Sequence, residues 1–148
     1  MSLTVDPGVA AARLRVVEEH IRLECAHELD GLMGTFGMHP EWHNQAGGEV
    51  LHGHEAIRGF YEDLFRGFPD FQLQVQRRHV ADSVVIEGVL GGTHRHEWMG
   101  IPPTGKTVSV PFCAVFLFTE DDRLKAEIVY YDRFSLLDQL GVLNVQRS

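Results

Sequence analysis

Residues 54 to 76 read HEAIRGFYEDLFRGFPDFQLQVQ, and the spacing of the apolar side chains changes within this stretch. Up to Phe68 the apolar residues recur at three- and four-residue steps, which is typical of an amphipathic helix. After Pro69 they alternate with glutamine at every second position, which is typical of a strand with one buried face. The stretch therefore predicts a helix over residues 54–68 and a strand directly after it.

The remaining sequence divides into helices before this point and strands after it. The N-terminal half predicts an amphipathic helix from about Gly8 to Leu29, a short helix over residues 31–36 capped by Asp30, and a strand over residues 41–47. The C-terminal half predicts strands over residues 83–99, 107–118 and 123–132 and a closing helix that ends near Gly141. This order predicts an α+β domain with helices on one face of a curved antiparallel sheet. Glycines in the long strand predict a bulge or bend: Gly88, Gly91 and Gly92.

Length and composition predict one globular domain over residues 1–148. The chain is 44% hydrophobic and 23% charged, and its apolar runs are shorter than the roughly 20 residues that a membrane helix needs. The first residues lack the basic start and apolar core of a signal peptide, so we expect a cytoplasmic protein without a membrane partner.

The charge balance argues against nucleic acid as a partner. The formal net charge is -8, and no basic cluster is longer than the pair Arg77 and Arg78. Such a surface repels phosphate backbones. The two cysteines, Cys25 and Cys113, are expected to be buried free thiols.

Residues 100–107, GIPPTGKT, match the phosphate-loop pattern of nucleotide-binding proteins. That motif needs a helix after the loop, whereas the residues that follow favour a strand. Pro102 and Pro103 also remove two backbone N–H donors from the stretch that would hold the phosphates. The segment is therefore predicted to be a turn between strands.

Asp132 is the first candidate for acid/base chemistry. On the last strand the charged residues Lys125, Glu127 and Arg133 share one phase. The opposite, inward phase contains Leu124, Ala126, Ile128, Tyr130 and Asp132. A carboxyl group in an apolar cavity has a raised pKa and suits proton transfer, although this position also allows Asp132 to cap the closing helix.

Histidines are the second set of candidates. His94 and His96 share the inward phase of the long strand, and His79 shares the phase of Phe71 and Leu73 on the neighbouring strand. Each could instead be a core or rim histidine with an ordinary hydrogen bond. The H-x-H spacing also suits a metal ion in cupin-like proteins, but those are almost wholly β, so we expect no metal here.

Three segments resemble the SnoaL-like polyketide cyclases of the nuclear transport factor 2-like superfamily. They are GHEAIRGFYEDLFRGFPDFQLQV, GGTHRHEWMGIPPTGKTVSV and YYDRFSLLDQLGVL, and the resemblance extends from about Leu29 to Leu143. It implies a cone-shaped α+β fold around a hydrophobic pocket, usually in a homodimer or larger assembly. It also implies ring closure of a polyketide by intramolecular aldol condensation without a cofactor, with Asp132 in the acid/base position.

The resulting hypothesis is cofactor-free acid/base catalysis on a small hydrophobic substrate. Asp132 would transfer the proton, and His94 would orient it or stabilise an enolate oxygen. The predicted substrate-binding residues are Trp42, His43, Tyr61, His79, His96, Phe112, Phe116 and Tyr130. The alternative is a non-enzymatic module that binds a small apolar molecule in the same pocket.

Overall fold

The computed structural model describes residues 5–143, which form an α+β fold. The helices in this range are α1 (Pro7–Cys25), α2 (Leu29–Gly34), α3 (Gly53–Gly67) and α4 (Arg133–Gln139). The strands are β1 (Phe36–Asn44), β2 (Glu49–His52), β3 (Gln72–Val80), β4 (Val84–Thr93), β5 (Thr107–Phe118) and β6 (Leu124–Tyr131). The predicted fold class is confirmed.

The strands form one six-stranded sheet in the order β2-β1-β6-β5-β4-β3. Strands β3 to β6 are antiparallel neighbours, as predicted, whereas β1 pairs with β6 in parallel. Strand β2 was not predicted, because its four residues are too few to show a period. Helix α1 contacts β3 and β4, α3 contacts β1 and β2, and α4 contacts β5. None of the described helices is long and apolar enough to cross a membrane.

The core lies between the helices and one face of the sheet. Strand β5 shows the alternation that produces it, with every second side chain buried from Val108 to Phe116. Helix α3 presents Ile57, Tyr61 and Leu64 to the same core at helical spacing. The period change at Pro69 therefore marks the real junction between α3 and β3.

The start of β1 differs from the prediction. Helix α2 begins at Leu29, and Asp30 lies inside it, paired with Arg58 rather than capping the helix. The chain then enters β1 at Phe36, five residues before the predicted strand start at Glu41.

Two irregularities in strand pairing determine which side chains face the core. Val75 pairs with Gly88 and Arg77 with Glu87, so Gln76 is an extra residue in β3. Leu117 pairs with Ala126 and Phe118 with Leu124, so Lys125 is an extra residue in β6. Each β-bulge shifts the side-chain alternation by one position in the rest of its strand.

The glycines of β4 allow the backbone of neighbouring strands to approach closely. Strand β4 pairs with β5 without a register shift from Val84 to Thr93, so of the predicted bulge or bend, a bulge within β4 is wrong. An added Cβ at Gly88 would lie 2.2 Å from the Gln74 carbonyl oxygen, opposite the bulge in β3. Only glycine fits there without a backbone shift.

The segment GIPPTGKT forms the predicted turn. Trp98 and Ile101 form an isolated antiparallel bridge, and the two residues between them, Met99 and Gly100, have positive φ angles of 50° and 75°. Strand β5 follows at Thr107 instead of a helix. The helix N-terminus that a phosphate loop requires is therefore missing from this position.

Candidate functional site

Helices α1 and α3 and the inner face of the sheet enclose a cavity of about 500 Å³. Its wall is mostly apolar and rich in aromatic rings, which are contributed by Trp42, Phe60, Phe68, Phe71, Trp98, Phe112 and Tyr131. Trp42 and Phe60 are stacked, with ring centroids 4.0 Å apart. A cavity of this size and lining suits a small organic ligand.

A buried polar cluster lies at the cavity wall, and we call it the Glu-His cluster: His20, Glu24, Tyr61 and Glu127. His20 Nε2 lies 3.2 Å from Glu127 Oε2 and 3.7 Å from Glu24 Oε2. The Tyr61 hydroxyl donates a hydrogen bond of 2.8 Å to Glu127 Oε2. Of the four residues, Glu24 and Glu127 line the cavity itself.

The orientation of His20 is set by Thr35. The Thr35 hydroxyl donates to the Leu32 carbonyl oxygen at 2.7 Å, so its oxygen is left to accept from His20 Nδ1–H at 2.8 Å. This assignment directs Nε2 toward the two carboxyl groups. Of the two carboxyl groups, that of Glu127 lies close enough to His20 Nε2 for proton transfer.

Glu24 is the member of the cluster that has an unsatisfied polar atom. It is 5% exposed, and its Oε2 atom makes no hydrogen bond with any described residue. Burial raises the pKa of Glu24 well above its ordinary value, and the neighbouring Glu127 raises it further. Burial also raises the pKa of Tyr61, with contributions from both carboxylates. Burial and the neighbouring Glu127 thus both favour the protonated form of Glu24 over the carboxylate.

Local structure brings these residues together from three elements. His20 and Glu24 are four residues apart on α1 and lie on its buried stripe with Val17. The bulge at Lys125 turns Glu127 to the inner face of β6, where Phe116 is its partner on β5. The same bulge places Val129 and Tyr131 on the cavity wall.

The remaining polar residues lie toward the exposed side of the cavity. Asn44 donates to Glu49 at 3.2 Å, and Arg133 lies 3.8 Å from Glu49. Burial raises the pKa of the Tyr131 hydroxyl. Of these groups, Asn44 and Tyr131 line the cavity and can donate hydrogen bonds to a ligand.

The Glu-His cluster also has the spacing of a metal site. One ligand atom from each of His20, Glu24 and Glu127 lies within 4.8 Å of the other two. An imidazole and two carboxylates could hold a transition-metal dication. The predicted alternative, His94 and His96, lacks this geometry, since His94 is buried and His96 is exposed beyond the end of β4.

The structure places the predicted substrate-binding residues in three locations. Trp42 and Phe112 line the cavity. Tyr61 and Phe116 are buried beside it, where Tyr61 bonds Glu127 and Phe116 packs against His20. The others lie outside the cavity wall among the described residues: His43, His79, His96 and Tyr130.

The bulge in β3 explains the position of His79. It reverses the strand phase after Gln76, so the His79 ring lies on the exposed face and contacts Glu87 at 2.6 Å. In β6 the bulge at Lys125 turns Tyr130 outward, where it is 49% exposed. His43 pairs with Glu41 at 2.8 Å.

His94 is fully buried but does not line the cavity. Its Nδ1 atom accepts from the Thr104 backbone N–H at 3.3 Å, and its ring stacks on Phe68 with centroids 5.2 Å apart. Burial lowers the pKa of His94, which favours the neutral ring. This position supports the loop before β5 instead of touching a substrate.

Asp132 is exposed, which corrects its predicted inward orientation. Its side chain caps α4 by accepting from the Ser135 backbone N–H at 3.0 Å and from the Ser135 hydroxyl. These hydrogen bonds lower the pKa of Asp132, the opposite of the shift expected for a buried acid. Its geometry is that of a helix N-cap, which was the alternative interpretation of Asp132 from the sequence.

Asp132→Ala is therefore expected to reduce the free energy of unfolding by about 1 kcal/mol, the usual value of an N-cap. Turnover per folded molecule should stay within about twofold, because the carboxylate lies outside the cavity wall. Urea denaturation and a rate assay at a temperature where the variant is folded measure the two effects. A loss of turnover above a hundredfold with full folding would return the acid/base role to Asp132.

Sequence reasoning missed His20, Glu24 and Glu127. The available signal was the presence of two polar residues on the stripe of α1 that also contains Val17, since a buried polar residue usually has a partner. Regular alternation predicted that Glu127 faces outward. The bulge that turns it inward could not be recognised, because residues 125–127 contain no residue type that is typical of a bulge.

Comparison with protein families gives a match over residues 33–140 to the family described as SnoaL-like polyketide cyclase. This span includes α3, the whole sheet and α4, and it leaves α1 outside. Thus Glu127 lies within the matched region, whereas His20 and Glu24 do not. A comparison with curated protein sequences finds no match.

Several solved structures share the fold. A candidate SnoaL-like polyketide cyclase from Jannaschia aligns with a TM-score of 0.80 and 20% identity over 96% of this chain and 99% of that one. AclR from Streptomyces galilaeus, a candidate hydroxylase, has a TM-score of 0.79 and 22% identity over 93% of this chain and 90% of that one. TsrD from Streptomyces laurentii has a TM-score of 0.78 and 23% identity over 94% of this chain and 99% of that one. At these identities the likeness establishes the fold.

Proposed function

Since this chain belongs to the SnoaL-like polyketide cyclase family, we propose that it catalyses proton transfer next to a carbonyl group of a flat, hydrophobic molecule in its cavity. Aldol-type ring closure and related isomerase or lyase reactions all begin with this step. The observation that carries the proposal is the buried Glu-His cluster at the wall of a largely apolar cavity.

Glu127 is the proposed base. It lines the cavity, its carboxylate accepts a hydrogen bond from the Tyr61 hydroxyl, and His20 Nε2 lies 3.2 Å from its Oε2 atom. A proton taken from a substrate carbon can pass from Glu127 Oε2 to His20 Nε2 across 3.2 Å. The imidazole then returns the proton later in the reaction.

Glu24 is the proposed acid. Burial and the neighbouring Glu127 raise its pKa, which favours the protonated form, and from this form Glu24 can donate a hydrogen bond to the oxygen that becomes negative when the carbon loses its proton. A buried neutral carboxylic acid is an effective donor because water does not compete for the oxygen. The two carboxyl groups thus have different roles because their surroundings differ.

The cavity supplies the remaining requirements. The stacked pair Trp42 and Phe60, together with Phe112, offers aromatic surfaces to a ring system in the cavity. The apolar wall limits water, which strengthens the electrostatic interactions around the reacting carbon.

Product analysis separates this proposal from a non-enzymatic binding module. Aromatic ketones with an acidic C–H, beginning with β-tetralone in deuterated water, are incubated with the protein and examined by mass spectrometry. We expect deuterium uptake faster than in the protein-free control. Tight binding without uptake or a new product across a panel of such ketones would favour the binding module.

The reaction is proposed to need no metal, because Glu127 and His20 can carry the proton themselves and already have hydrogen bonds to Tyr61 and Thr35. Protein purified without metal-affinity media is expected to hold zinc, iron, nickel and manganese well below one equivalent. Treatment with EDTA should leave deuterium uptake unchanged. One tightly held equivalent that is lost together with activity would instead assign a metal to His20, Glu24 and Glu127.

A further inference from the structure

Carboxyl groups are the main ionisable side chains of the cavity wall. The carboxyl groups that line it are those of Glu24, Glu49, Asp63 and Glu127. No lysine, arginine or histidine lines it within residues 5–143. Arg66 and Arg133 pair with Asp63 and Glu49 but contribute nothing to the wall. A ligand inside therefore meets carboxyl groups without a basic side chain of the protein.

The aromatic rings of the wall add to this preference. The face of each ring carries partial negative charge and attracts a cation within about 6 Å of its centre. Seven rings line the cavity, and Trp42, Phe60 and Phe112 are among them. Aromatic faces combined with carboxylates are a recurring means of binding organic ammonium groups.

The Glu-His cluster lacks one hydrogen-bond donor. Glu24 Oε2 is buried and makes no hydrogen bond with a described residue. A buried acceptor without a donor is costly, so a ligand that brings an N–H to this point gains more than one that brings another acceptor. An anionic ligand would place a negative charge beside the Glu127 carboxylate, and no basic side chain of the wall within residues 5–143 would pair with it.

We infer that the substrate of this cavity is a flat, apolar molecule that carries a protonated amine, with the ammonium group directed toward Glu24 and Glu127. The inference rests on the proposed function, because it takes this cavity as the substrate site. Alkylamines are protonated at neutral pH, as the side chain of lysine is. The cavity of about 500 Å³ is large enough for two or three fused rings with such a group.

Three probes of the same shape and different charge test the inference: naphthylmethylamine, naphthylmethanol and naphthoate. The two tryptophans of the chain, Trp42 and Trp98, both line the cavity, so their fluorescence reports binding directly. We expect the amine to bind at least about tenfold more tightly than the alcohol, and the acid to bind most weakly. This comparison requires no variant.

Two variants then locate the preference. Glu127→Gln and Glu24→Gln should each reduce the ratio of amine to alcohol affinity by about fivefold or more, while alcohol binding is kept. Glu18→Gln removes the same charge from the exposed face of α1 and should leave the ratio unchanged. Retained alcohol binding also shows that a variant is folded.

The outcomes separate this inference from the proposed function. If the alcohol binds as tightly as the amine, or the acid binds most tightly, the inferred substrate class is wrong, but proton transfer at Glu127 still stands. Absence of binding by all three probes also contradicts the inference, since naphthalene is smaller than the cavity. Preferred binding of the amine without any proton exchange would support the ligand class and count against the proposed catalysis.

Discussion

Replacement of Glu127 by glutamine is expected to lower the rate of proton exchange or turnover by about a hundredfold to ten-thousandfold. Glutamine has nearly the same shape and can still accept the hydrogen bond from Tyr61, but it cannot accept a proton from the substrate. With β-tetralone, which has no ammonium group, we expect kcat to fall while KM changes little, because the apolar wall that binds this ketone is unaltered.

Glu87 provides a matched control for this variant. It is a glutamate that contacts a histidine, His79, at 2.6 Å, but on the exposed face of the sheet. Glu87→Gln should leave kcat within about twofold of the unaltered protein. Equal losses in the two variants would mean that general charge or stability is responsible, and an unchanged kcat in Glu127→Gln would exclude Glu127 as the base.

Glu24→Gln is expected to raise the thermal stability of the protein at neutral pH by several degrees. Burial raises the pKa of Glu24 above its ordinary 4.5, so the folded state binds this proton more tightly than the unfolded chain does. The free energy of unfolding therefore falls as pH rises from 4.5 toward the raised pKa. Glutamine is neutral at every pH and avoids this loss.

Melting curves over a range of pH measure the effect. The two proteins should have similar melting temperatures below pH 4.5, where Glu24 is protonated in both the folded and unfolded states. The difference should grow as pH rises. A difference that is independent of pH, or a variant that is less stable at neutral pH, would show that Glu24 is not held in its protonated form by burial.

Most of the fold could be predicted because its elements carry regular periods. The helical period up to Phe68 and the alternation after it located α3 and β3, and the apolar run over residues 107–118 located β5 within its observed bounds. Two short elements were missed or shifted, and the nine-residue β1 begins five residues before its predicted start. Strand β2 has four residues, and α2 begins two residues before the predicted start at Gly31.

The site could be predicted only in part, because it depends on positions where alternation breaks. Trp42 and Phe112 follow the regular phase of β1 and β5 and line the cavity as expected. Glu127 and His79 follow a bulge in their own strands, so each points to the face opposite the predicted one. One extra residue in β6, Lys125, therefore turns Glu127 inward, although alternation along the sequence predicted that Glu127 points outward.

The long-range part of the site was beyond any local pattern. His20 and Glu24 belong to α1, more than a hundred residues before Glu127, and they meet it only when α1 packs on the sheet. Asp132, by contrast, has a local role that its neighbour Ser135 determines, and helix capping could be anticipated from the sequence.

Solvent deuterium exchange at the acidic carbon of a bound ketone tests the central claim most directly, because it observes the proposed proton transfer without requiring the natural substrate. The rates are compared by mass spectrometry for the unaltered protein, Glu127→Gln and Asp132→Asn with β-tetralone. We predict that exchange is catalysed by the unaltered protein, persists in Asp132→Asn and is lost in Glu127→Gln. Exchange that persists in Glu127→Gln and is lost in folded Asp132→Asn would contradict the assignment of the buried Glu-His cluster as the catalytic site.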